Sequence, residues 1–125
     1  GAKRAMKLPV SAPFHSSLLK PASDRLRDYM AELTFSAPQI ALINNVDVAV
    51  LSDPASIKDA LVRQAAAPVR WVETMQKVAA EGITQVVECG PGKVLMGLTK
   101  RIDATLVGDA ITDQASLERV LTLLK

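Results

Sequence analysis

Apolar residues recur along much of this chain at either helical or strand spacing, and the alternation between the two organises it. Residues 7–11 form a short apolar run that reads as a strand, closed by Pro13, which lacks an N–H and disfavours helix before it. From residue 18, Leu18, Ala22, Leu26, Tyr29, Met30 and Leu33 fall on a 3.6-residue stripe, the pattern of an amphipathic helix. Ser16 or Ser17 can cap that helix, and Pro21 fits only in its first turn. Residues 40–46 (IALINNV) are nearly all apolar until Asn44 and Asn45, as expected of a buried parallel strand.

Asp53-Pro54 is a cap followed by proline at the first helical position, and Ile57, Ala60 and Leu61 give that helix an inner face ending near Gln64. Pro68 opens a further predicted helix with an inner stripe of Val69, Val72, Met75, Val78 and Ala79, and Gly82 supplies its left-handed terminus. ITQVVE (83–88) is rich in β-branched residues and predicts a strand, followed by the loop Cys89-Gly90-Pro91-Gly92 and a helix over 94–101. A weaker strand is expected within 104–111. A last helix follows, with Asp113 as cap, Leu117, Val120, Leu121 and Leu124 inward, and Lys125 at the negative end of its dipole. Strands alternating with helices predict an α/β fold, a parallel sheet flanked by helices.

Composition narrows the possibilities. A chain of 125 residues, 49% hydrophobic and 22% charged, has the size and make-up of one folded domain and not of a disordered segment. Only 3% of residues are aromatic, so the core is built from Ala, Val, Leu and Ile. The net charge is +2 and the basic residues are scattered, which predicts no nucleic-acid footprint. No uncharged apolar run reaches the roughly 18 residues of a membrane span, so a soluble, cytoplasmic protein is expected. Cys89 is the single cysteine. With no partner for a disulfide and no general base near it in sequence, it reads as a buried strand-end thiol.

Three features bear on chemistry. GPGKVLMG (90–97) lacks the spacing of a phosphate-binding loop, because Val87 and Val94 occupy the positions that need Gly and Ser or Thr. It also lacks the third glycine of a dinucleotide fingerprint, where Leu95 stands, so it reads as a strand-to-helix turn. His15 is the only histidine. It is either a proton-transfer group on a loop near a strand end or a structural surface residue. Asn44 and Asn45 are either polar groups at a functional strand end or simple strand terminators.

Taken together, LPVSAPFHSSLLKPASDRL (8–26), INNVDV (43–48), DALVRQAAAPVRW (59–71) and ECGPGKVLMGLTKRI (88–102) resemble the C-terminal part of malonyl-CoA:acyl carrier protein transacylases of bacterial fatty acid synthesis. The resemblance implies the C-terminal part of the large, α/β-hydrolase-like acyltransferase subdomain, with residues 1–11 as the end of the small inserted subdomain and the return strand. It implies transfer of malonyl from coenzyme A to the phosphopantetheine thiol of an acyl carrier protein through a serine ester. His15 would be the base, and the backbone carbonyl of Gln64 would orient its ring, fixing the tautomer without adding charge. No metal or redox cofactor is implied. Phe14 resembles the bulky residue that favours malonyl over branched acyl groups.

The partners implied are malonyl-CoA, an acyl carrier protein and an N-terminal segment of the same enzyme, with no nucleic acid and no membrane. Lys3, Arg4, Lys7, Lys93, Lys100 and Arg101 are candidates for a surface that docks the acidic carrier. The family's serine lies on a G-x-S-x-G elbow, and none of the six glycines here is followed two residues later by serine. The family's oxyanion-hole glutamine motif and the arginine that pairs with the malonate carboxylate also have no match. These 125 residues alone are therefore expected to be inactive. Two rival expectations are a noncatalytic carrier-binding or scaffold fragment and a piece of an acyltransferase domain from a modular synthase.

Overall fold

A computed structural model describes residues 1, 3, 5–7 and 9–123. The chain divides into two compact units, Gly1–Arg70 and Trp71–Lys125.

In the first unit, a 3₁₀ turn, Ser17–Leu19, leads into helix α1, Lys20–Ala31. Pro21 lies in the first turn of α1 as expected, but neither Ser16 nor Ser17 makes a capping bond; the Ser16 hydroxyl donates to Pro13 O at 2.7 Å instead. Two short strands follow, β1 (Leu42–Ile43) and β2 (Val50–Leu51), paired antiparallel with Ile43 opposite Val50. Helix α2, Pro54–Gln64, completes the unit. Its cap is the one expected: Asp53 Oδ2 accepts from the Ser56 backbone N–H at 2.8 Å, satisfying one of the helix's orphan donors.

In the second unit, α3 (Trp71–Ala80) ends at Gly82, whose φ of +81° is the left-handed conformation that favours glycine. Strand β3 (Gln85–Cys89), helix α4 (Val94–Ile102) and strand β4 (Val107–Ile111) form a β-α-β unit with β3 and β4 parallel, in register from Gln85 opposite Val107 to Cys89 opposite Ile111. Helix α5, Gln114–Leu123, packs back on β4. Asp113 caps it through a bond to the Ser116 N–H at 2.8 Å. Gly108 is where α4 approaches β4: a Cβ there would lie 3.1 Å from the Met96 backbone oxygen.

The α/β reading holds in coarse form, as helices with a small parallel sheet, and several local expectations are corrected. The described residues within 7–11 adopt no strand; Leu8 lies outside the described residues. Residues 40–46 form not a buried parallel strand but one arm of a hairpin, with Ile40 and Leu42 exposed. Asn44 is the reason. Its side-chain oxygen accepts from the N–H groups of Val46 and Asp47 at 3.1 and 2.7 Å, which turns the chain after Ile43. Helix α3 starts at Trp71, three residues after Pro68, and Val72 is exposed while Thr74 and Met75 are buried. In α2, Val62 and not Leu61 joins Ile57 and Ala60 in the core. Leu18 and Tyr29 of the predicted α1 stripe are exposed, and the buried residue of that helix is Ser23. Leu124 and Lys125 lie outside the described residues.

Candidate active site

The site forms where the loop ahead of α1 meets the C-terminal turn of α2. The last carbonyls of a helix lack intrahelical partners and must find others. Here residues on or just before α1 take two of them. The buried Ser23 hydroxyl donates to Val62 O at 2.6 Å, and His15 Nδ1 lies 3.1 Å from Gln64 O. A carbonyl can only accept, so this contact requires the proton on Nδ1 and leaves Nε2 as the acceptor when the ring is neutral. Nε2 has no hydrogen-bond partner among the described residues, and His15 is exposed. The ring is thus held at one nitrogen and open at the other, the arrangement a proton acceptor needs.

His15 is one of two non-glycine residues with positive φ among the described residues, at +57°. The other is Val48, at +58°, where β-branching makes that conformation costly. Val48 lies in the β1–β2 loop, whose backbone closes with Val48 N–H donating to Asn44 O at 3.1 Å. That loop is tied to the same end of α2. Arg63 donates from Nη1 and Nη2 to the two carboxylate oxygens of Asp47, at 2.8 and 2.7 Å, and from Nε to Asp59 at 2.6 Å. These bonds hold the Asp47 carboxyl below its ordinary range and push the Arg63 guanidinium up.

Between the hairpin and α2 lies an open cleft of about 200 Å³. Its wall is apolar, with Leu42, Leu51, Ile57 and Ala60, and its polar rim includes Asn44, Asn45 and Gln64. The cleft and His15 therefore share Gln64. Sequence reading singled out His15, Gln64 and the asparagine pair, but missed Ser23, Asp47 and Arg63. A serine inside a helix, and charged residues at ordinary surface spacing, carry no signal of their own until the fold brings them together.

In the 90–97 turn the amide of Met96, in the first turn of α4, is already occupied by Glu88, whose carboxylate accepts from it at 2.8 Å. An anion bound at that amide would meet a resident carboxylate. Cys89 is exposed, a correction to the expected buried thiol, because β3 ends there and its side chain emerges from the sheet. Phe14 is exposed beside His15. Among the described residues no group of His, Cys, Asp or Glu could hold a metal ion, and no helix is long and apolar enough to cross a membrane.

Comparison with known proteins then shows what the chain is similar to. No family model matches the chain. It is, however, 52% identical over 122 residues to the malonyl CoA-acyl carrier protein transacylase of Salmonella typhimurium, covering 98% of this chain and 40% of that protein. The corresponding Bacillus subtilis protein is 41% identical over 125 residues. The chain matches a C-terminal portion of malonyl CoA-acyl carrier protein transacylases along almost its whole length. Solved structures agree. The acyl-carrier-protein S-malonyltransferase of Burkholderia pseudomallei superposes with a TM-score of 0.91 at 69% identity, covering 98% of this chain and 40% of that one. A malonyl-transacylase solved in complex with a type II PKS acyl-carrier protein gives 0.93 at 47% identity, with the same coverage. The chain thus spans about 40% of the length of these transacylases.

Proposed function

We propose that these residues supply the general base of a malonyl transfer from coenzyme A to an acyl carrier protein, within the large α/β-hydrolase-like acyltransferase subdomain. The observation that carries the reading is the His15 Nδ1 to Gln64 O contact of 3.1 Å, with Nε2 left open. A serine from a segment outside these 125 residues attacks the malonyl thioester. His15 Nε2 takes the serine proton and returns it to the departing coenzyme A thiol. The pantetheine thiol of the carrier then gives its proton to His15 and attacks the acyl-serine; the released serine oxygen takes that proton from His15 Nε2, which regenerates the enzyme. The Gln64 carbonyl is neutral, so it holds ring angle and tautomer without placing a fixed charge beside the base. Residues 1–11 are the end of the small inserted subdomain on this reading, and the protein works in the cytoplasm with malonyl-CoA and the carrier as partners.

The test is a chimera in which these 125 residues replace the matching C-terminal portion of the Salmonella typhimurium transacylase. The chimera transfers malonyl to a carrier protein, the 125-residue chain alone does not, and His15→Ala lowers the chimera's rate by about 10² to 10⁴. A His15→Ala chimera with undiminished transfer would sink the assignment. Carrier binding by the isolated chain, unchanged in His15→Ala and with an inactive chimera, would favour a noncatalytic carrier-binding fragment.

A further inference from the structure

Both strained residues of the first unit lead to adjacent positions on one helix end. His15, with φ +57°, reaches Gln64; the loop containing Val48, with φ +58°, is gripped by Arg63 through Asp47. Backbone strain of this kind persists only where the surroundings over-determine it. We propose that Asp47 and Arg63 are a positioning pair, which fixes the last turn of α2 so that the Gln64 carbonyl meets the His15 ring. This rests on the base assignment made above and extends it to residues that touch no reacting atom.

The geometry supports a positioning role over a merely stabilising one. A lone surface ion pair contributes little to stability, and both side chains here are more than a third exposed, at 39% and 38%. A guanidinium that uses both terminal nitrogens on one carboxylate is a different device, because its planar fork defines direction as well as distance. Nε on Asp59, one helical turn back in α2, removes the remaining swing of the fork. The far side of the loop is anchored as well. The Arg70 backbone N–H donates to Asn45 O at 3.0 Å, and its Nη1 to Asp47 O at 3.3 Å. The loop cannot relax without pulling on Arg63, and Gln64 is the next residue.

His15 is the only histidine, so imidazole ¹H–¹⁵N correlation spectra of the chain report on it without ambiguity. The unmodified chain, with the ring neutral, shows predominantly the Nδ1–H tautomer, whereas free histidine favours Nε2–H. In D47N and in R63K the Nδ1–H signature is lost and the shifts move toward those of free histidine, while the helical circular dichroism remains. The double variant D47N/R63K is no worse than either single one, as for two residues acting as a unit. Folded single variants with the spectrum of the unmodified chain would overturn the proposal, as would additive losses. Should D47N lose its helical signal, D47E, which keeps the charge but misplaces the fork, is read by the same criteria. Because the readout needs no turnover, it stays separate from the catalytic reading. An active His15→Ala chimera with tautomer loss in D47N would leave the brace standing and remove its catalytic purpose.

Discussion

Ser23 shows how much one small polar side chain can hold. It is 2% exposed, inside a helix whose predicted apolar stripe is half uncovered, and its hydroxyl is the partner of Val62 O. Ser23→Ala leaves that buried carbonyl without a partner, which costs about 1–3 kcal/mol. A urea titration of both proteins should therefore show a lower midpoint for the variant with an unchanged slope. No change in midpoint would mean that water replaces the hydroxyl. Sequence reading could not reach this, since Ser is an indifferent helix residue and its value comes from a carbonyl 39 positions away. His15 was legible for the opposite reason. Its chemistry is intrinsic to the side chain, and the likeness to the transacylases already implies the Gln64 carbonyl as the partner of its ring.

Among the elements, α2 and α5 follow their sequence signals because those signals are local. Asp53-Pro54 and Asp113 with Ser116 satisfy helix ends within a few residues, and no distant partner is needed. The run 40–46 failed because apolarity alone does not distinguish a buried strand from a half-exposed hairpin arm. The polar group Asn44, Asn45 and Asp47 followed by a second apolar run was the available hairpin signal. At the junction between α4 and β4, Leu106 is 1% exposed. It belongs to the core that lets the β-α-β unit close. Leu106→Ala should cost about 2–5 kcal/mol, a large share of the roughly 5–15 kcal/mol that holds a domain folded. Differential scanning calorimetry would detect it as a clear fall in Tm, and an unchanged Tm would show that the site collapses around the smaller side chain.

For the molecule as a whole, charge sets the response to acid. Six aspartates are held below the ordinary carboxylate range: Asp24 by its bond to Lys20, Asp47 by Arg63, Asp53 by the Ser56 N–H, Asp103 by Thr105, Asp109 by Arg119 and Asp113 by Ser116. A carboxyl with a depressed folded pKa adds stability that is complete above its unfolded value of 3.8 and disappears as pH falls through the folded one. Tm should therefore hold steady from neutrality to about pH 5 and drop below about pH 4. A Tm that rises on acidification through that window would contradict the sign.

What the sequence determined by itself is local or chemical. Helix caps, the left-handed Gly82, the β3–α4–β4 pattern, the identity of the one imidazole and the likeness to the transacylases all reside in residues close together or in their order. The tertiary structure alone decided which faces are covered, that Asn44 turns a hairpin, that Ser23 is buried, and that the Asp47–Arg63 fork joins His15 and Gln64 at the end of α2. The reason is that hydrogen bonds to a helix's last carbonyls can come from anywhere in the chain, so their donors carry no mark in sequence until folding places them there.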